Sequence, residues 1–80
     1  MEKEPVTAED YNNRGVAYYD KGMYDKAIEN FTKAIELEPD FVKAYMYRGL
    51  AYKAIYQFYK SAAEFDKAEE IRKKRRNLEQ

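Results

Sequence analysis

The sequence predicts an all-α protein, an α-solenoid fragment of two helix-turn-helix pairs with an extended C-terminal helix. Three observations predict it: an internal repeat, apolar residues spaced three and four apart, and turn-forming residues between the apolar stripes. When the chain is shifted by 34 positions, residues 8–41 lie over residues 42–75 without gaps. The identical pairs are Tyr11/Tyr45, Arg14/Arg48, Gly15/Gly49, Ala17/Ala51, Tyr18/Tyr52, Lys26/Lys60, Phe31/Phe65, Lys33/Lys67, Ala34/Ala68 and Glu36/Glu70. We therefore divide a single domain, 1–80, into repeats 8–41 and 42–75, with 72–80 as the polar tail of the last helix.

The first repeat has clear helix boundaries. Thr7 is placed to cap a helix, with Asp10 three residues later in the capping-box position, and Gly22 ends that helix because glycine tolerates a left-handed turn. A second helix is predicted over Tyr24–Leu37, with an apolar stripe formed by Ala27, Ile28, Phe31, Ala34 and Ile35. Pro39 stops it, and Asp40 is placed to cap the next helix.

The second repeat departs from the first at its central turn. Helices are expected over 43–54 and 58–68, and the last one runs on because Lys73 replaces Pro39. The breaker Lys21-Gly22 becomes Ile55-Tyr56, however. Two readings stay open: a hairpin with a sequence-tolerant turn, or one continuous helix from about Phe41 to Leu78 that exposes an apolar stripe.

Composition excludes several classes of function. Lys+Arg and Asp+Glu are both 15, so no global field favours nucleic acid or an anionic membrane. The chain has no Cys and no His, which removes thiol chemistry, disulfides and the commonest general base and neutral metal ligand. We therefore expect no catalytic site, no cofactor and no metal site, and the chain is not expected to be an enzyme.

The sequence also bears on location. No apolar run is long enough to span a membrane, and Met1-Glu2-Lys3-Glu4-Pro5 has no signal-peptide core. A cytoplasmic location is therefore the default expectation.

At the repeated residues the chain resembles the tetratricopeptide repeat family. The matching positions in the first copy are Tyr11, Gly15, Tyr18, Ala27, Phe31, Ala34 and Pro39, and in the second Tyr45, Gly49, Tyr52, Phe65 and Ala68. The second copy departs from the pattern with Ser61 at an alanine position, and Arg14 and Arg48 replace the usual leucine. The resemblance implies helix pairs that bind other proteins.

In this family the first helix of each pair lines a concave surface. The resemblance implies a peptide-binding set of Asn12, Asn13, Val16, Tyr19, Lys43, Met46, Tyr47, Leu50 and Lys53. An aromatic and apolar floor flanked by amides and lysines suits an extended peptide, although a solvated surface without a ligand is the alternative. Some members hold a carboxylate with Lys, Arg and Asn side chains, but at best two of those five residues, Asn13 and Lys43, are present here.

Two further surfaces are candidates for binding. The first surface is predicted to bind a second copy of the chain, which forms a homodimer or a domain swap. It consists of Ile55, Tyr56, Phe58, Tyr59, Ala62 and Ala63. The second is the basic run Arg72-Lys73-Lys74-Arg75-Arg76, which is the alternative site for electrostatic binding of nucleic acid. The alternative without a ligand is that this run is a solvated helix end that pairs with neighbouring acidic residues.

Overall fold

The computed structural model describes residues 4–78 of the chain, and this part is built from four helices. They are α1 (Ala8–Asp20), α2 (Tyr24–Leu37), α3 (Val42–Ala54) and α4 (Phe58–Leu78). No strand occurs within residues 4–78, so the predicted all-α fold with an extended last helix is confirmed. The start of the N-terminal segment, 1–3, and the end of the predicted polar tail, 79–80, lie outside the described residues.

The capping prediction holds for the first helix and fails for the third. The Thr7 hydroxyl accepts a hydrogen bond from the Asp10 amide at 3.1 Å, and the Asp10 carboxylate accepts from the Thr7 amide at 3.2 Å. Helix α3 instead begins after Phe41, which makes no side-chain capping bond. The prediction that Asp40 caps this helix is therefore wrong, because the chain makes one more residue of turn before α3 starts.

The second repeat forms a hairpin. Tyr56 occupies the left-handed region with a φ of 64°, at the position that corresponds to Gly22, whose φ is 76°. The Gln57 amide donates to the Tyr52 carbonyl at 2.8 Å, as the Met23 amide donates to the Tyr18 carbonyl at 2.9 Å. The continuous-helix alternative is therefore wrong: the turn forms without glycine, and hydrogen bonds satisfy the backbone at the end of α3.

Each pair of helices packs through a small residue on its first helix. Phe31 of α2 is fully buried, and a Cβ added to Gly15 of α1 would lie 2.5 Å from its Cε1 atom. The equivalent contact of Gly49 with Phe65 is looser, at 3.1 Å. Only glycine permits the close approach in the first pair, which explains why an aromatic residue and a glycine recur together in the sequence.

Helices α2 and α3 join the two repeats. Ala27, Phe31 and Ala51 form one buried cluster, and the ring of Tyr47 stacks on that of Phe31 with centroids 5.7 Å apart. Ile35 of the first repeat packs on a second cluster that includes Ile71. Because Ile71 is buried against this cluster, the extension of α4 remains part of the fold instead of projecting free of it.

Candidate protein-binding surfaces

One face of α3 presents the largest exposed part of the predicted peptide-binding set. Lys43, Met46, Leu50 and Lys53 recur at offsets of three and four, so they share a face of the helix. Lys43 and Lys53 are exposed, Leu50 is borderline exposed and Met46 is half-buried. The Lys43 ammonium lies 3.7 Å from the Glu9 carboxylate of α1, an ion pair that links the two first helices. The arrangement is amphipathic, with an apolar centre and a positive charge at either end.

The α1 members of the set are less accessible. Val16 and Tyr19 are half-buried and pack around the buried cluster that contains Phe31. Asn12 is only 1% exposed, and its Oδ1 atom has no hydrogen-bond partner among the described residues. The structure places Asn13 elsewhere, on a pocket that it shares with Arg14.

The ring of Tyr47 is half-buried and stacks on Phe31 between the two repeats. The structure therefore brings together the residues at offsets of three and four on α3, and it leaves Asn12, Asn13 and Tyr47 outside that exposed stripe. The peptide-binding set as a whole stays a prediction.

Aromatic side chains are exposed where α3 turns into α4, and we call Tyr56, Phe58 and Tyr59 the aromatic cluster. Their exposed fractions are 80%, 58% and 95%, and the rings of Tyr56 and Phe58 meet edge-on with centroids 6.1 Å apart. Of the other predicted self-association residues, Ala62 and Ala63 are exposed and Ile55 is half-buried. Ile55 also lines a pocket of about 400 Å³ with the α1–α2 turn, so both turns lie at one end of the molecule.

The outward edge of the second repeat is more polar than the corresponding edge of the first. Ile28 and Ile35 of α2 pack against clusters that include residues of the second repeat, and Thr32 accepts a hydrogen bond from Arg48. Their counterparts on α4, 34 positions later, are Ala62, Asp66 and Glu69. Because two of these three positions carry a charge, the apolar surface of this edge is concentrated at its turn end, beside the aromatic cluster.

A buried ion pair inside the second repeat was missed by the sequence analysis. Arg48 of α3 donates to Glu64 of α4 from Nε at 2.6 Å and from Nη2 at 2.9 Å, and its Nη1 donates to the Thr32 hydroxyl at 3.0 Å. The available signal was a pair of departures from the repeat: arginine where leucine is usual, and Glu64 in place of Asn30. This contact is structural, because it ties both helices of the second repeat to the first.

The structure divides the basic run between two sets of contacts. Lys74 lies 3.4 Å from Glu70 and Arg76 lies 3.6 Å from Glu69, both within α4. Arg72 instead places Nη2 3.1 Å from the sulfur of Met46, and Arg75 donates to the Asp40 carbonyl at 2.7 Å. Four of the five basic side chains thus contact protein groups, which does not leave a uniform basic stripe.

Burial perturbs one titratable group near these surfaces. Burial raises the pKa of the Tyr45 phenol above its ordinary value, and the nearby Arg48 guanidinium opposes this rise. The phenol also donates a hydrogen bond to the Pro39 carbonyl at 2.9 Å. Across residues 4–78, no three acidic side chains converge as metal ligands would, and none of the four helices is long and apolar enough to cross a membrane.

Two stacked helix pairs of this kind define the class of helical-repeat proteins that bind other proteins. Residues 8–41 match the family model of the tetratricopeptide repeat. The chain superimposes on two crystal structures of MamA, with TM-scores of 0.85 and 0.83 and 36% identity in each case. The match covers 88% and 91% of this chain and 41% and 40% of those chains. Residues 8–41 are therefore a tetratricopeptide repeat, and both helix pairs share the fold of the MamA structures, as the repeated residues predicted.

Two curated relatives match shorter stretches of sequence. A "Protein SGT1 homolog" of Oryza sativa subsp. japonica is 43% identical over 51 residues, which cover 64% of this chain and 14% of that protein. An uncharacterized protein of Methanocaldococcus jannaschii is 41% identical over 51 residues, which cover 64% of this chain and 59% of that protein. The chain thus spans only part of each relative, and the likeness extends to the repeat and not to the whole proteins.

Proposed function

We propose that this protein-interaction module, without catalytic activity of its own, self-associates through the aromatic cluster and the surface beside it. The observation that carries the proposal is the exposure of Tyr56, Phe58 and Tyr59 at one turn, where the rings of Tyr56 and Phe58 meet edge-on. Contiguous exposed apolar surface of this kind marks interaction sites. An aromatic side chain buries roughly 150–250 Å² when covered, so two copies could approach the roughly 1,000 Å² that a specific interface needs.

The surface next to the aromatic cluster supports a second copy as the partner. The pocket of about 400 Å³ at the same end is lined by Met23, Tyr24 and Ile55 among others. The exposed aromatic cluster and this pocket, which Asp25 and Lys26 also line, lie at one end and allow a two-fold symmetric contact in which each copy contributes both features. Because the hairpin is closed, this association joins folded surfaces and requires no domain swap.

Sedimentation velocity of the full chain over a range of micromolar concentrations tests the proposal. We expect the mass to double as the concentration rises, and Tyr59→Lys to keep the chain monomeric because it places a charge in the centre of the contact. Leu78→Lys is the matched control, since Leu78 is 85% exposed at the opposite end of α4. A parent chain that stays monomeric at high concentration, or a control that abolishes the dimer equally, rejects the proposal.

The second candidate function is binding of an extended peptide along the exposed face of α3. Its support is the stripe of Lys43, Met46, Leu50 and Lys53, which offers apolar contact between two positive charges. Charge reversal by Lys53→Glu should weaken an acidic peptide while leaving helix content unchanged, since Lys53 is exposed. Amide shifts that map to α2 and α4 instead of α1 and α3 would reject this face.

A further inference from the structure

We propose that the pocket between the α2–α3 turn and the extension of α4 binds an acidic peptide segment that carries an aliphatic side chain beside a carboxylate. We call it the arginine pocket; its volume is about 460 Å³. Its floor and positive rim are formed by Phe41, Val42, Lys43, Met46, Arg72 and Arg75. This site is separate from the aromatic cluster and does not depend on the proposed self-association, but it shares Lys43 and Met46 with the exposed stripe of α3.

In the described part of the chain, the two arginines use one hydrogen-bond donor each. Among residues 4–78, neither Arg72 nor Arg75 lies within salt-bridge distance of a carboxylate, whereas Lys74 and Arg76 of the same run are paired. Within the same residues, the acceptor for Arg72 is the sulfur of Met46, and the acceptor for Arg75 is the Asp40 carbonyl. Because a guanidinium carries five N–H donors and sulfur is a weak acceptor, several donors stay available to an incoming carboxylate.

The floor of the arginine pocket explains why the ligand should also be apolar. Phe41, Val42 and Met46 are each half-buried, so they offer hydrocarbon surface without being closed off from solvent. Methionine adapts its shape to irregular aliphatic groups, and covering such a floor contributes favourable transfer free energy. A leucine-like side chain next to an aspartate or glutamate satisfies both the floor and the rim.

Charges on the opposite rim favour a peptide over nucleic acid. Glu9 and Glu38 also line the pocket, so three basic side chains face two acidic ones. Lys43 already pairs with Glu9 at 3.7 Å. A nucleic acid carries a negative charge on every nucleotide, so Glu9 and Glu38 would repel some of its phosphates. A single carboxylate of a peptide can contact the arginines without approaching these two residues.

The test uses the full chain labelled with ¹⁵N and two acetylated probe peptides, one alternating Leu with Asp and one alternating Leu with Asn. We expect the acidic peptide to shift amides near residues 41–46 and 72–75, and the neutral peptide to bind much more weakly. Arg72→Gln with Arg75→Gln should weaken the acidic peptide by about tenfold or more, as the loss of charge-assisted hydrogen bonds implies. Lys74→Gln with Arg76→Gln makes the same change in net charge away from the pocket and should leave the affinity unchanged.

Three results would overturn the proposal. They are equal binding of the two peptides, an equal loss of affinity in the control variant, and tighter binding of a single-stranded oligonucleotide through the same amides. Thermal melts of both double variants check that the fold is kept. If the Arg75 change disturbs the α2–α3 turn through Asp40, Arg72→Gln alone retains the comparison, because Arg72 contacts the thioether of Met46 on α3 and not the turn.

Discussion

The guanidinium of Arg48 holds the carboxylate of Glu64 with two hydrogen bonds while a third reaches Thr32 in the preceding repeat. The side chains of Arg48 and Glu64 are only 17% and 10% exposed. A pair this buried is costly to break from one side, because the remaining charge keeps its desolvation penalty without its partner. It also fastens α3 to both α4 and α2, so its loss should affect the packing of the two repeats on each other.

The first prediction follows from this pair. Arg48→Leu should lower the free energy of unfolding by about 2–4 kcal/mol, because it leaves Glu64 buried and unpaired. Arg48→Leu combined with Glu64→Ala should be more stable than Arg48→Leu alone, since no isolated charge remains. Urea unfolding measures the free energy of unfolding of both variants. Lys33→Ala is the control: it removes the ion pair with Glu36, in which both side chains are more than half exposed, so this free energy should change little. A double variant less stable than the single one would show that the Glu64 side chain stabilises the fold even without Arg48.

The second prediction concerns the contact between Gly15 and Phe31. Gly15→Ala should destabilise by about 1–3 kcal/mol, because the new Cβ would lie 2.5 Å from the buried ring. Gly49→Ala is the matched variant in the second repeat, and its smaller overlap with Phe65, at 3.1 Å, should cost less. Phe31→Ala should cost about 3–5 kcal/mol and leave the chain largely unfolded. Thermal melts rank the stabilities of the three variants. An equal loss of stability in Gly15→Ala and Gly49→Ala would contradict the tighter packing of the first helix pair.

The third prediction uses the left-handed conformation of Tyr56. Tyr56→Gly should raise the free energy of unfolding by about 1 kcal/mol, because it removes the steric cost of a Cβ at a φ of 64°. It also deletes one ring of the aromatic cluster, so stability should rise while self-association falls. Tyr59→Gly, at an exposed helical position, deletes a neighbouring ring but should cost about 0.5–1 kcal/mol. A loss of stability in both variants would mean that the Tyr56 ring makes contacts that outweigh the strain.

Most of the fold could be read from the sequence because local signals agreed with one another. The stripe on α2, the glycine at position 22 and the capping box at Thr7 each specify a local geometry that tertiary packing then keeps. The second turn was ambiguous since Tyr56 has no intrinsic preference for a left-handed conformation. Packing of α4 on α3 imposes it, and such long-range packing leaves no local signature in the chain.

The candidate sites were less predictable for a related reason. Family spacing places residues on a helix face, but it does not show which neighbour covers them, so the stacking of Tyr47 on Phe31 and the burial of Asn12 were missed. The aromatic cluster was predicted because the turn of the second repeat is more apolar than that of the first, with Tyr56 in place of Gly22 and Tyr59 in place of Asp25. The separation of Arg72 and Arg75 from their neighbours in the basic run required knowledge of where α4 lies against the α2–α3 turn.

The last prediction is a loss of stability at high pH that depends on Tyr45. Burial raises the pKa of this phenol above its ordinary value of about 10, so the folded state keeps the proton longer than the unfolded chain does. Its contribution is therefore complete below about pH 10 and is lost as the pH rises through the folded-state pKa. Tyr45→Phe should cost about 0.5–1.5 kcal/mol at neutral pH, because the hydrogen bond to the Pro39 carbonyl is lost, and the cost should shrink above pH 10. Urea unfolding of both chains from pH 7 to 11 measures the difference, with Tyr59→Phe, at a ring that is 95% exposed, as the control. Curves that stay parallel across this range would mean that the buried phenol does not govern the alkaline loss of stability.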